Sequence, residues 1–162
     1  MKYRKGFITN SSSSSFILAY NEDSIEKSIW SQLKKNYEYE KAGEYFGYLM
    51  HYIEKENNIK NDKNFLEDLK KSLFYICKFE IEEEMEKEGF SCDKIFDYMS
   101  SEKGKIKVIE RVQEKVNVIL ENCKGYDTIK KLTISNDYEP LTSLEYYIVK
   151  ELEECKAKIS HH

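Results

Sequence analysis

One proline and six glycines among 162 residues leave the chain short of tight-turn formers. A sandwich of many short strands needs a turn about every ten residues, so the composition favours helices over that architecture. The four cysteines, Cys77, Cys92, Cys123 and Cys155, are far apart and form no CxxC pair, a spacing that does not support a four-thiolate zinc site. No apolar run is long enough to span a bilayer and no leader-like segment stands at the start. Together with the unpaired cysteines, this predicts a cytoplasmic protein with reduced thiols. Positive charge is not in excess either. Lysine and arginine number 26 against 30 acidic residues, for a net charge of -4, which argues against a nucleic-acid backbone binder. Catalytic signatures are missing as well: no G-x-S-x-G elbow, Walker loop, Rossmann glycine pattern or HExxH occurs. Of three histidines, His161 and His162 read as a tag remnant, and His51 sits beside Met50 at the border of an apolar stripe.

What is present points to helices. The chain is 35% charged and 40% hydrophobic, and an aromatic share of 14%, mostly tyrosine, argues against disorder. Its length suits one domain over residues 1–160, long enough to bury roughly two-thirds of its unfolded surface.

Residues 3–8 and 16–20 read as short strands. The second, FILAY, is apolar almost throughout, as a strand buried on both faces would be. Asn21, Glu22 and Asp23 stop it, with Asp23 and Glu26 spaced as a capping box for a helix carrying Ile25, Ile29 and Leu33. A helix over 38–57 shows the clearest stripe, Ala42, Phe46, Leu49, Met50 and Ile53, flanked by Gly43 and Gly47, a pair suited to close helix approach. The next helix, 64–87, carries Leu66, Leu69, Leu73, Ile76, Cys77, Ile81 and Met85 and stops at Gly89. After a short helix over 92–99, Gly104 reads as a break before a helix of 105–122. Its inward residues are expected to be Ile106, Ile109, Val112, Val116, Ile119 and Cys123. Residues 129–135 alternate as a strand, and a last helix begins at a Thr142–Glu145 capping box, with Leu144, Ile148, Leu152, Cys155 and Ile159 as its stripe. The expected fold is therefore α+β and predominantly helical. A small two- to three-stranded sheet would form from the N-terminal segment and residues 129–135, covered by about five to six helices.

Three places would carry function. If the strands at 16–20 and 129–135 run parallel, Asp23, Asp137 and Glu139 gather at one sheet edge, where carboxylates would hold Mg²⁺ or Mn²⁺ for a metal-dependent enzyme acting on a phosphate-containing substrate. Asn and Asp also stand after strands simply as stop and capping residues, in which case no cofactor is used. The tyrosines Tyr37, Tyr39, Tyr45, Tyr48 and Tyr52 cluster on and before one helix with acids between them, a composition suited to protein contact.

The five serines Ser11, Ser12, Ser13, Ser14 and Ser15 lie between two apolar runs. They read as an ordered connection between the two N-terminal strands. With Arg4 and Lys5 nearby, the same hydroxyls and backbone N–H groups would suit an anion or nucleotide sensor. Gly6-Phe7-Ile8-Thr9-Asn10, the serines and Phe16 together resemble a signature that opens many uncharacterised bacterial and phage proteins: a basic residue, Gly-Phe-(Val/Ile)-(Thr/Ser)-Asn, several serines, then Phe. The resemblance covers about eleven residues and implies an accessory protein of a bacterium or phage, with no activity attached. The expectation from the whole chain is a small cytoplasmic protein that acts by binding another protein, without catalysis. Self-association is open to it, and no membrane or nucleic-acid partner is expected.

Overall fold

The computed structural model describes residues 13–135, 144, 147–148 and 151–159. Strand β1, Ser13–Tyr20, is the centre of a three-stranded sheet. On one side it pairs antiparallel with β2, Thr128–Ser135, so that Ser13 faces Ser135 and Tyr20 faces Thr128. On the other it pairs antiparallel with β3, Cys155–Lys158, with an irregularity between Ile17 and Leu18. Five helices fill the sequence between β1 and β2: α1 Ile25–Asn36, α2 Tyr39–Lys55, α3 Phe65–Lys87, α4 Cys92–Ser100 and α5 Glu102–Asn122. The fold is α+β and predominantly helical, with a sheet drawn from the N-terminal and C-terminal parts of the chain.

The apolar run FILAY is explained by layers. Side chains on a strand alternate between faces. Phe16, Leu18 and Tyr20 enter a core made with α1, α2 and Leu144, Tyr147, Ile148 and Leu152. Ile17 and Ala19 enter a second core with α3, α4, α5 and Ile159. Helices thus cover both faces, and each large side chain of β1 buried this way contributes about 1.5–3 kcal/mol.

Several elements differ from expectation. Ser13, Ser14 and Ser15 are not a connection between strands; they are the first residues of β1. Ser14 and Ser15 are buried, and the Ser15 hydroxyl meets that of its cross-strand partner Thr133 at 2.9 Å. The strand expected at 3–8 lies outside the described residues. Among the described residues a third strand is β3, in place of the continuous final helix that the stripe predicts. Leu144, Tyr147 and Ile148 are helical, but the chain is extended again from Cys155. Ile159 N–H then donates to the Ser15 carbonyl at 2.8 Å, completing cover of an edge of β1 that would otherwise be open. Helix α1 is capped at Ser24 rather than Asp23, without a side-chain bond to the helix.

The glycines exchange roles. Among the described residues nothing lies within 4 Å of a Cβ built on Gly43 or Gly47, so none of the helices α1 to α5 approaches closely there. Gly104 is no break: it sits inside the first turn of α5. A Cβ at that position would lie 2.1 Å from the Tyr98 carbonyl oxygen and 2.9 Å from Met99 Cα. Ser101 fastens this corner, donating its hydroxyl to the Tyr98 carbonyl at 2.6 Å and accepting from Gly104 N–H at 3.1 Å.

Candidate contact surface

The antiparallel pairing decides the fate of the acidic site. Asp23 follows the Tyr20 end of β1, whereas β2 ends at Ser135, opposite Ser13. The C-terminal ends of the two strands are therefore at opposite ends of the sheet, and the parallel pairing on which the expected acidic site depended is absent. Asp137 and Glu139 themselves lie outside the described residues. The loop after β1 meets the start of β2 instead. Glu22 N–H donates to Asp127 Oδ1 at 3.1 Å, Asp127 N–H to Asn21 Oδ1 at 3.2 Å, and the Thr128 hydroxyl to Glu22 Oε1 at 3.0 Å. This is a clasp between strand ends. Among the described residues no group of three or more His, Cys, Asp or Glu is placed to hold a metal ion.

The anion hypothesis changes similarly. Ser13, Ser14 and Ser15 belong to an extended, paired strand, which is not the concave array of N–H groups that a phosphate needs. Arg4, Lys5, Ser11 and Ser12 lie outside the described residues.

Of the tyrosine cluster one ring is interior, three are half-buried and one is exposed. Tyr45 is 1% exposed, a member of the core under α2, and its ring meets that of Tyr37 at 4.9 Å. Tyr37 also meets Tyr147 at 5.6 Å, while Tyr48 and Tyr52 are half-buried against the same core. Only Tyr39 of the five is exposed, and it rests edge-on against Trp30. These rings fill space around α2, so Tyr45 is withdrawn as a contact residue.

Exposed apolar area lies on the other side of the sheet. Among the described residues, nine of the eleven exposed large apolar side chains belong to α3, α4 and α5. On α3 these include Phe74, Tyr75 and Phe79; on α4, Phe96; on α5, Ile106 and Ile109. The inward residues of α5 are Gly104, Val108, Val112, Val116 and Ile119, followed by Cys123, so the expectation that Ile106 and Ile109 face the core is corrected. Helix α5 carries two apolar stripes, and the doubled pattern was the legible signal that one faces out. An open groove of ≈ 350 Å³ lies here, lined by Lys70, Lys71, Phe74 and Tyr75 of α3 with Ile109, Val112 and Gln113 of α5.

Charged pairs hold the two helices in place. Arg111 grips Glu84 through both guanidinium nitrogens at 2.8 and 3.0 Å, which holds the Glu84 carboxyl below its ordinary range. Lys115 reaches Glu80 at 2.8 Å. Beneath them burial raises the pKa of the Cys77 thiol, making it a core group rather than a nucleophile. The described residues lining the groove offer apolar area, two lysines and a glutamine. Among the described residues no helix is long and apolar enough to cross a membrane. No family model, curated protein or solved structure matches the chain.

Proposed function

We propose that the protein acts by binding protein, without catalysis of its own, through the outer face of α3, α4 and α5. One observation carries this reading: exposed aromatic and aliphatic side chains concentrate on this layer, where Phe96 is 73% and Tyr75 76% exposed. Scattered apolar residues on a surface need no explanation, but a groove shared by α3 and α5, with Lys70 and Lys71 beside Phe74, Tyr75 and Ile109, is the composition of a contact site. The N-terminal resemblance extends the reading to an accessory protein of a bacterium or phage, and four free cysteines suit the reducing cytoplasm.

Photo-crosslinking in the cell tests it. A crosslinker placed at Tyr75 or Phe96 is expected to trap protein, whereas one at Tyr39 on α2 is not. The double change Phe74→Ser and Ile109→Asp should abolish trapping while leaving the circular dichroism spectrum intact. Trapping at Tyr39 alone, or at none of the three, would remove the reading.

A further inference from the structure

Helix α3 is organised in steps of four. Its buried residues are Leu69, Leu73, Cys77, Ile81 and Met85. On the opposite side a second ridge with the same step reads Glu67, Lys71, Tyr75, Phe79, Glu83 and Lys87, and all six are exposed. Cys77 marks the centre of both rows. Read backwards from that centre, the outer ridge is its own complement: glutamate falls opposite lysine, lysine opposite glutamate, and tyrosine opposite phenylalanine.

Such a ridge fits a second copy of itself. Helices commonly cross with their i±4 ridges side by side, at about -50°. A two-fold axis through the middle of α3 would bring Tyr75 against Phe79 of the second copy and Lys71 against the second copy's Glu83, each contact occurring twice. Phe79 of the second copy would then lie beside the groove that Phe74, Tyr75 and Ile109 line. Among the described residues the charges on this ridge make local, exposed pairs, Lys71 with Asp68 at 3.8 Å and Lys87 with Glu83 at 3.5 Å. Pairs of this kind are weak and leave the groups open to a partner. By contrast, Glu80 and Glu84, already held by α5, are not on the ridge.

We infer that the chain forms a two-fold homodimer through the outer ridge of α3, with the Tyr75–Phe79 contacts at its centre and Lys71–Glu83 contacts flanking them. This rests on the reading of the α3–α5 face as a contact surface and names one occupant for it.

Charge reversal gives a test that folding defects cannot imitate. Sedimentation velocity of the full chain over a concentration series should show a monomer–dimer equilibrium. Lys71→Glu and Glu83→Lys should each weaken it about tenfold or more, because symmetry sets two repulsive contacts in place of two attractive ones. Mixed together, the two variants should associate again. The glutamate introduced in one variant then meets the lysine introduced in the other, and the native Glu83 and Lys71 that remain meet each other. The double variant in one chain should likewise recover the dimer. A wild-type chain that stays monomeric, or single variants that dimerise like the wild type, would overturn the inference. If crosslinks from Tyr75 then still trap a different protein, the contact surface stands and only its occupant is wrong. A dimer whose amide-exchange protection falls outside α3 would overturn the inference as well.

Discussion

Replacing Gly104 by alanine should destabilise the protein, although glycine-to-alanine changes inside helices ordinarily do the reverse. Two terms oppose each other. Alanine lowers the entropy cost of helix formation by up to about 1 kcal/mol. Against this, the added Cβ would stand 2.1 Å from the Tyr98 carbonyl oxygen and 2.9 Å from both its carbonyl carbon and Met99 Cα. All three are backbone atoms at the end of α4, fixed by the Ser101 hydroxyl and by Ser101 N–H donating to Asp97 and Tyr98. They have no rotamer through which to retreat. Relief requires α4 and α5 to part, which loosens Ile95 and Met99 from Val108 and Val112 in the shared core. Overpacking that shifts side chains and backbone costs about 1–3 kcal/mol and occasionally more, so after the gain in helix propensity the net change should be a loss of roughly 1–2 kcal/mol. Gly43→Ala and Gly47→Ala serve as controls. Each lies inside α2 with empty space at the Cβ position and should gain about 0.5–1 kcal/mol. Urea unfolding midpoints of the three variants measure the contrast. A Gly104→Ala protein as stable as the wild type would refute the close approach of the two helices.

Further outcomes follow from the buried polar groups. The phenol hydroxyls of Tyr20 and Tyr147 are buried without a hydrogen-bond partner among the described residues, so Tyr20→Phe and Tyr147→Phe should leave stability unchanged or raise it by up to about 1–3 kcal/mol at neutral pH. Burial raises both phenol pKa values, with Glu22 adding to the shift at Tyr20 and Glu154 at Tyr147. The unfolded chain therefore ionises first. The stability is intact below about pH 10 and falls above it by about 1.4 kcal/mol per pH unit per tyrosine, and the double phenylalanine variant should show a shallower alkaline decline. Gln32 donates to both carboxylate oxygens of the buried Glu154, at 3.2 and 2.9 Å, and accepts from Glu153 N–H at 3.0 Å. Gln32→Leu should cost about 1–3 kcal/mol by thermal denaturation, and an unchanged melting temperature would show that the network carries no weight. In a thiol titration of the native protein near pH 8, exposed Cys92 should react first and alone, with Cys77 and Cys123 raised by burial and Cys155 pushed up to about 11. A fast phase that survives Cys92→Ser would contradict this order.

The helices and the central strand were legible because their signals are periodic. FILAY announced burial on both faces, and the stripes of α2 and α3 placed Leu49, Ile53, Leu73 and Ile81 correctly in the cores. What failed was whatever depends on a partner distant in sequence. Cys155-Lys156-Ala157-Lys158 has little strand propensity of its own and is extended because β1 offers an edge to pair with. Glycine means opposite things at Gly43 and Gly104, since only the arrival of α4 distinguishes them. The inward turn of Tyr45 was hidden for a related reason: a ring with a polar tip suits both a surface and a core boundary, and Tyr37 stacks edge-on against both Tyr45 and Tyr147. On α5, two apolar stripes compete for one inward face, and the register of packing against α3 selected Val108 over Ile106 and Ile109.

The order of β2, β1 and β3 in the sheet also sets a schedule for folding. The α3–α4–α5 layer is assembled from neighbours in sequence and can form while little chain is closed. Strand β1 must wait, because its partners are made last: Ile17 pairs with Lys131 on one side and with Ala157 on the other. Both closures span most of the chain and are entropically expensive before they are rewarded. Through that interval the most apolar strand of the protein stands with two open edges, the state most prone to pair with another molecule. A chain shortened before β3 would leave one of those edges open for good. Its failure would appear as aggregation during synthesis before any loss of helix was seen.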